Sequence, residues 1–314
     1  MLLRSNKFFL IFLLILISLW RITSGDWEIP LTDVIRYLFS DSNSTSTEII
    51  VIKSVRLPRL LCSIATGALL SVSGVIFQGL LANPLAEPYT LGIAAGAAFG
   101  ASIGIIFNFM IMPLSFMGAL TALFLTALIS FHGGNEKIIL AGVISNSILS
   151  AGVTFLKATA GEKIGSIVLW LMGSFSGAGT KNIFPIMSGL LIIIIPAYIL
   201  APYLDAMSLG KNRAAVLGVN ENLVRRILLI TTSIGISFSV SSFGIIGFVG
   251  LVVPHISRAL TGASHRNLII HSALVGAIVM ALSDGAAQKL NELPVGVLTA
   301  MFGGIFFCWI LSKK

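Results

Sequence analysis

Ten apolar runs divide this chain, and each meets or approaches the roughly 20 residues an α-helix needs to cross a bilayer. They are Phe8 to Ser24, Leu57 to Leu80, Tyr89 to Phe109, Pro113 to Phe131, Ile138 to Lys157, Ile183 to Tyr203, Leu223 to Ser241, Gly244 to Leu260, Leu268 to Gly285 and Pro294 to Ser312. Charged residues make up only 10% of the 314, too few to solvate a soluble chain of this size, and most fall between the runs. The runs lack the alternation of barrel strands and exceed the roughly 10 residues that such strands use. Backbone polar groups must satisfy one another in lipid, so each run is read as a helix. The expected fold is all-α: a polytopic membrane protein of about ten transmembrane helices, with residues 1–314 as a single transmembrane domain.

The first run has the look of a signal peptide, with Arg4 and Lys7 before Phe8 to Trp20 and then Ser24-Gly25. An uncleaved first span is expected instead, because nine more spans follow. Ten spans put both termini on one side. That side takes eleven basic residues (Arg4, Lys7, Lys137, Lys211, Arg213, Arg225, Arg226, Arg258, Arg266, Lys313, Lys314) and four acidic ones (Glu87, Glu136, Asp205, Glu221). The other side takes the remaining nine basic and eight acidic residues, so the net +8 divides as +7 and +1. The positive-inside rule then makes both termini cytoplasmic, in the plasma membrane of a bacterium or archaeon. The surplus of positive charge reflects this asymmetry and not nucleic-acid binding. Cys62 and Cys308 fall at opposite ends of their spans, too far apart for a disulfide, and both read as packed thiols.

The longest outer segment, 25–56, includes the polar stretch Ser42 to Thr47 and reads as a loop. A second outer segment runs from Ala160 to Asn182; within it Ile164 to Phe175 is too short to span and reads as a re-entrant or surface half-helix. The longest inner connection, 203–222, has mixed charge, and Arg213 to Leu217 could form a short helix ended by Gly218.

Enzymatic chemistry finds no support. No phosphate loop ends in Gly-Lys-Ser/Thr; Gly173 to Lys181 comes nearest, but Thr180 separates Gly179 from Lys181. His132, His255, His265 and His271 are scattered near inner span ends, without a metalloprotease pattern or ligand spacing, so no metal or cofactor is expected. Ion-coupled carriers place carboxylates inside their spans. Here Asp284 and Lys157 lie near span ends, which disfavours ion coupling.

Glycines and prolines carry the remaining pattern. Gly92, Gly96, Gly100 and Gly104 recur every fourth residue, a row on one helix face suited to tight packing. Gly244, Gly247 and Gly250 imply tight packing or an irregular turn. Asn83-Pro84-Leu85-Ala86-Glu87-Pro88 joins the second and third spans, its two prolines stopping both helices and stiffening the turn.

Together these motifs resemble the FecCD-type permeases, membrane subunits of ATP-driven importers of iron–siderophore complexes, haem and vitamin B12. The similarity runs from about Val55 to the end. It rests on Arg56-Leu57-Pro58-Arg59, Ser73 to Gln78, Asn83 to Pro88 with Leu91-Gly92, and Leu140 to Val143. Trp170 to Ser174, Leu217-Gly218-Val219, Gly247 to His255 and Glu292 to Val297 complete it. The chain departs from the family pattern at Gly244-Ile245, where Gly-Pro is frequent.

The resemblance implies a type II ABC importer permease without catalytic activity or bound cofactor. Its implied partners are a second permease subunit (the same chain or a close paralogue), two ATP-binding subunits, an external solute-binding protein and membrane lipid, with no nucleic acid. Three sites follow as expectations. The inner loop would couple to the ATPase through Arg213, Ala214, Ala215, Leu217 and Gly218. Arg56, Arg59 and Lys289 would dock the binding protein. Asn83, Pro84 and Leu85 would form a cytoplasmic gate, opposed by Gly142, Ser145 and Asn146 of the fifth span. An iron chelate, siderophore or haem, is the expected cargo, with vitamin B12 or an oxyanion as alternatives. An ion-coupled carrier and an intramembrane enzyme are the rival classes; the first lacks intramembrane carboxylates and the second lacks an interfacial His, Asp or Arg constellation.

Overall fold

The computed structural model describes residues 7–25, 29–32, 34, 47–130, 135–210 and 220–312. Among them the regular structure is entirely helical. The helices are α1 (Lys7–Thr23), α2 (Thr47–Leu80), α3 (Ile93–Phe107), α4 (Ile111–Ser130), α5 (Asn135–Thr159), α6 (Ile164–Leu171), α7 (Thr180–Ser208), α8 (Glu221–Phe243), α9 (Val249–Thr261), α10 (His265–Lys289) and α11 (Val295–Ser312). Six of these, α2, α4, α5, α7, α8 and α10, are long and apolar enough to cross a membrane. Ile93–Phe107 and Val295–Cys308 are apolar but shorter. The short α6 occupies the predicted half-helix.

A helix that is apolar all round belongs in an interior, and α2 is one: 89% of its most apolar window is buried. It packs against α7, α8, α9 and α10. Glycines set these approaches: a side chain at Gly67 would strike the Gly276 carbonyl of α10, and one at Gly74 the Gly250 carbonyl of α9. The glycine row of α3 behaves as its spacing predicts, since Gly96 and Gly100 sit against the backbone of Gly118 and Leu114 in α4. Gly92 leaves the row. It precedes α3 with φ +76° and faces α5 instead.

Several boundaries differ from expectation. Thr47 to Arg56 is not loop but a helical extension of α2, and Ile52–Arg56 is a π-helical turn. Pro58 explains the wide turn: it offers no N–H to the carbonyl one turn earlier, and its ring crowds that carbonyl. At the other end of the bundle, Tyr203 to Ser208 are the last residues of α7, so the inner connection begins at Leu209. Cys62 is buried but Cys308 is exposed, so only the first is a packed thiol. Ser42 to Ser46 and the proposed coupling residues Arg213, Ala214, Ala215, Leu217 and Gly218 lie outside the described residues.

Candidate functional site

At the expected outer end, four charged side chains from three parts of the chain meet. Asp284 of α10 is fully buried. Its Oδ2 accepts Nη2 of Arg21 at 2.6 Å, and its Oδ1 accepts Nη2 of Arg59 at 2.9 Å. Arg59 also forks onto Glu292, with both N–H···O distances 2.8 Å. Arg21 Nη1 donates to Gln288 Oε1 at 2.8 Å, one helical turn beyond Asp284. Two guanidiniums thus face two carboxylates, and the set is neutral. Asn291 and Glu292 both hold left-handed backbone, φ 55° and 57°, to turn the Glu292 carboxylate back toward Arg59. The Arg59 hydrogen bond holds Glu292 below the ordinary carboxylate value, against the opposing effect of burial.

This cluster changes the reading of two expected docking residues. Arg59 is 7% exposed and committed to the buried Asp284 and the more exposed Glu292, so it is not a surface cation. Arg56 is half-buried and donates Nη1 to the Ile22 and Thr23 carbonyls at 2.6 and 3.1 Å, capping the end of α1. Lys289 is exposed and lies 5.2 Å from the Trp20 ring centroid. Nor is Asp284 a free carboxylate of the kind ion coupling uses, since both oxygens are taken by arginines. The sequence reading overlooked this cluster. The available signal was ionisable residues inside apolar runs, which require internal partners in lipid.

The connection from α2 to α3 is more than a surface turn. Asn83 Oδ1 accepts the Leu85 N–H at 2.9 Å, an Asx turn that fixes the corner. Pro84 and Leu85 are exposed, while Ala86 and Pro88 are buried. Burial raises the Glu87 carboxyl above its ordinary value. Pro88 rests on Gly250, and the Tyr89 hydroxyl both donates to the Ile246 carbonyl and accepts the Ile246 N–H, each at 3.1 Å. Ile246 belongs to the non-helical link between α8 and α9, which opens at Gly244 (φ 75°) and closes at Phe248 (φ 67°). Both expectations for this glycine-spaced stretch, an irregular turn and close packing, meet here.

The fifth-span residues expected opposite this turn lie beside its far end. Gly142 packs on the Thr90 carbonyl, and Gly92 faces the Asn146 backbone. Ser145 points inward, 3.1 Å from Thr126 Oγ1. Asn146 is exposed, and Ser150 and Thr154 continue the same exposed stripe at intervals of four residues. At the end where α7 meets α10, Asp205 Oδ1 receives the His265 N–H at 2.9 Å and also contacts His265 Nδ1. None of the described residues forms a group able to hold a metal ion.

The model of the FecCD transport family matches residues 10–313. The chain belongs to the FecCD transport family. Among the relatives of this FecCD permease is the hemin transport system permease protein HmuU of Yersinia pestis, 34% identical over 98% of this chain and 95% of that protein. The molybdate import system permease protein MolB of Haemophilus influenzae is 32% identical over 98% and 95%. A solved structure described as a metal-chelate type ABC transporter in an inward-facing conformation matches with a TM-score of 0.89 at 32% identity, covering 98% of this chain and 99% of that one. FecCD permeases are not themselves enzymes; ATP hydrolysis belongs to a separate subunit.

Proposed function

We propose that this FecCD permease crosses the plasma membrane ten times, with both termini cytoplasmic, and carries an iron chelate inward. Two copies, or one copy and a close paralogue, form the pathway. Two ATP-binding subunits drive it and an external binding protein delivers the cargo. The observation that carries this reading is the exposed stripe Asn146, Ser150 and Thr154 on α5. Thr154 satisfies its hydroxyl on the Ser150 carbonyl, but the exposed Asn146 amide cannot be satisfied by lipid tails and suits a water-filled pathway between subunits. The likeness to a hemin permease and to a metal-chelate transporter supports an iron chelate as cargo. The likeness to a molybdate permease favours an oxyanion as the second reading.

Within this assembly, residues 209–220 couple to the ATPase, with Arg213 to Leu217 as the contact helix and Gly218 ending it. Arg56 and Lys289 present basic charge to the binding protein, with Arg59 buried behind them. Asn83, Pro84 and Leu85 close the pathway at its cytoplasmic mouth, with Gly142, Ser145 and Asn146 supporting the corner. The deciding experiment is growth of a deletion strain on a panel of iron sources, with parallel uptake assays for labelled siderophore, haem, cobalamin and molybdate. Loss of growth on one ferric chelate, restored by the intact gene, is expected. Normal growth on every iron source with loss of molybdate uptake would replace iron by the oxyanion.

A further inference from the structure

The first turns of α8, the second half of α4 and the start of α5 border a half-open cavity of about 460 Å³, within the roughly 300–1,000 Å³ typical of ligand sites. Its lining is ordered along α8. Asn222, Arg225 and Arg226 stand at the helix start, and Leu229 and Ile230 follow. At 1.5 Å per residue, Ile230 lies about 12 Å further along the axis than Asn222. Leu123, Phe124 and Ala127 of α4 supply the facing wall. The cavity is cationic at one end and apolar at the other.

Glu221 lies one helical turn before Arg225 on α8 but does not close on it. Among the described residues no carboxylate forms an ion pair with either. Arg225 is half-buried, and its Nε is buried without a hydrogen-bond partner. Arg226 is exposed. Asp205, an acid expected at the same end, is engaged by His265. A buried, unmatched guanidinium donor is costly unless an anion reaches it. Two adjacent arginines in the second turn of a helix, both lining one cavity, offer forked donors to a phosphate.

We propose that this cavity binds an anionic phospholipid of the cytoplasmic leaflet, its phosphate on Arg225 and Arg226 and an acyl chain against Leu123, Phe124, Leu229 and Ile230. The proposal rests on the orientation given above, which puts the start of α8 at the inner headgroups. A soluble anion would use the arginines but leave the apolar wall empty. Positive charge that served orientation alone would need no cavity.

The test uses the full chain in a neutral detergent, with added phosphatidylglycerol, bound lipid counted by native mass spectrometry and thermal stability followed in parallel. Wild type should retain phosphatidylglycerol and gain stability from it, and inorganic phosphate should do neither. Arg225→Gln/Arg226→Gln should weaken retention about tenfold or more, as loss of charge-assisted contacts implies. Leu123→Trp, which fills the cavity and keeps both arginines, should weaken it too. Undiminished retention by both monodisperse variants overturns the proposal. So does full competition by inorganic phosphate, which would make the site one for a soluble anion. None of these readouts depends on transport or cargo, and thiol labelling of Asn222→Cys from each side of the membrane tests the orientation separately.

Discussion

Arg59 Nη2 and Asp284 Oδ1 lie 2.9 Å apart inside the protein, although 225 positions separate them in the chain. The pair fastens the start of α2 to the last turns of α10, and Arg21 brings α1 to the same carboxylate. The three buried charges balance one another with Glu292 at the rim: remove Asp284, and two arginines are buried without their shared partner.

Asp284→Ala should therefore be among the most damaging single substitutions. Breaking a buried ion pair from one side costs about 3–5 kcal/mol, and here one deletion strands two arginines. Thermal unfolding in detergent should show a large drop in midpoint. A variant as stable as wild type would mean the cluster contributes nothing to holding the helices together.

Glu292 gives a pH signature. Its folded value is depressed by Arg59. A depressed carboxylate contributes stability that is fully present above its ordinary value of 4.5 and is lost as pH falls through the lower folded value. The stability gap between wild type and Glu292→Gln should be constant from neutral pH down to the ordinary carboxylate value. It should then close at more acid pH. A gap that widens with acid would contradict the assignment.

Arg56 and Arg59 should respond differently to charge reversal. Arg56→Glu, tested with Lys289→Glu, loses the cap on the Ile22 and Thr23 carbonyls but keeps the ion cluster, and should leave a folded protein whose association with the binding protein slows about tenfold and depends less on salt. Arg59→Glu should instead lower stability, because it sets a third carboxylate beside Asp284 and Glu292. Stopped-flow association and thermal unfolding, measured on the same variants, separate the two roles. An unchanged on-rate in the Arg56→Glu/Lys289→Glu variant removes this surface from docking.

Leu85 offers the test of the gate. It is 53% exposed at the tip of a rigid Asx turn. Two such turns facing each other across a symmetry axis would bring Leu85→Cys thiols within cross-linking reach in one nucleotide state and part them in the other. Cross-linking that is the same in every nucleotide state, or absent from all, excludes Leu85 from the closure.

The helices were legible because lipid allows a long apolar run few alternatives, and the close packing of α3 was legible, though not its partner α4, because small residues four apart line one face. The ion cluster was not, since no local pattern records that residue 59 meets residue 284. The extension of α2 was hidden for a different reason: Pro58 and the Ser-Thr stretch before it both argue locally for a break, and tertiary packing of the buried Ile49 and Ile52 overrides them. Asn146 could be named as a site residue from its polarity. That Ser145, its neighbour, turns inward to Thr126 depends on helix rotation, which sequence spacing alone does not set.

The Tyr89 hydroxyl gives one hydrogen bond and takes one at a single residue, Ile246. That is the service a trapped water molecule would render to an opened helix, but a tyrosine cannot exchange with solvent or be squeezed out. Both backbone groups of Ile246, in the link between α8 and α9, are thus satisfied by the chain itself. The hydroxyl also splices two distant corners into one joint, so that any displacement of the α2–α3 corner carries the α8–α9 link with it.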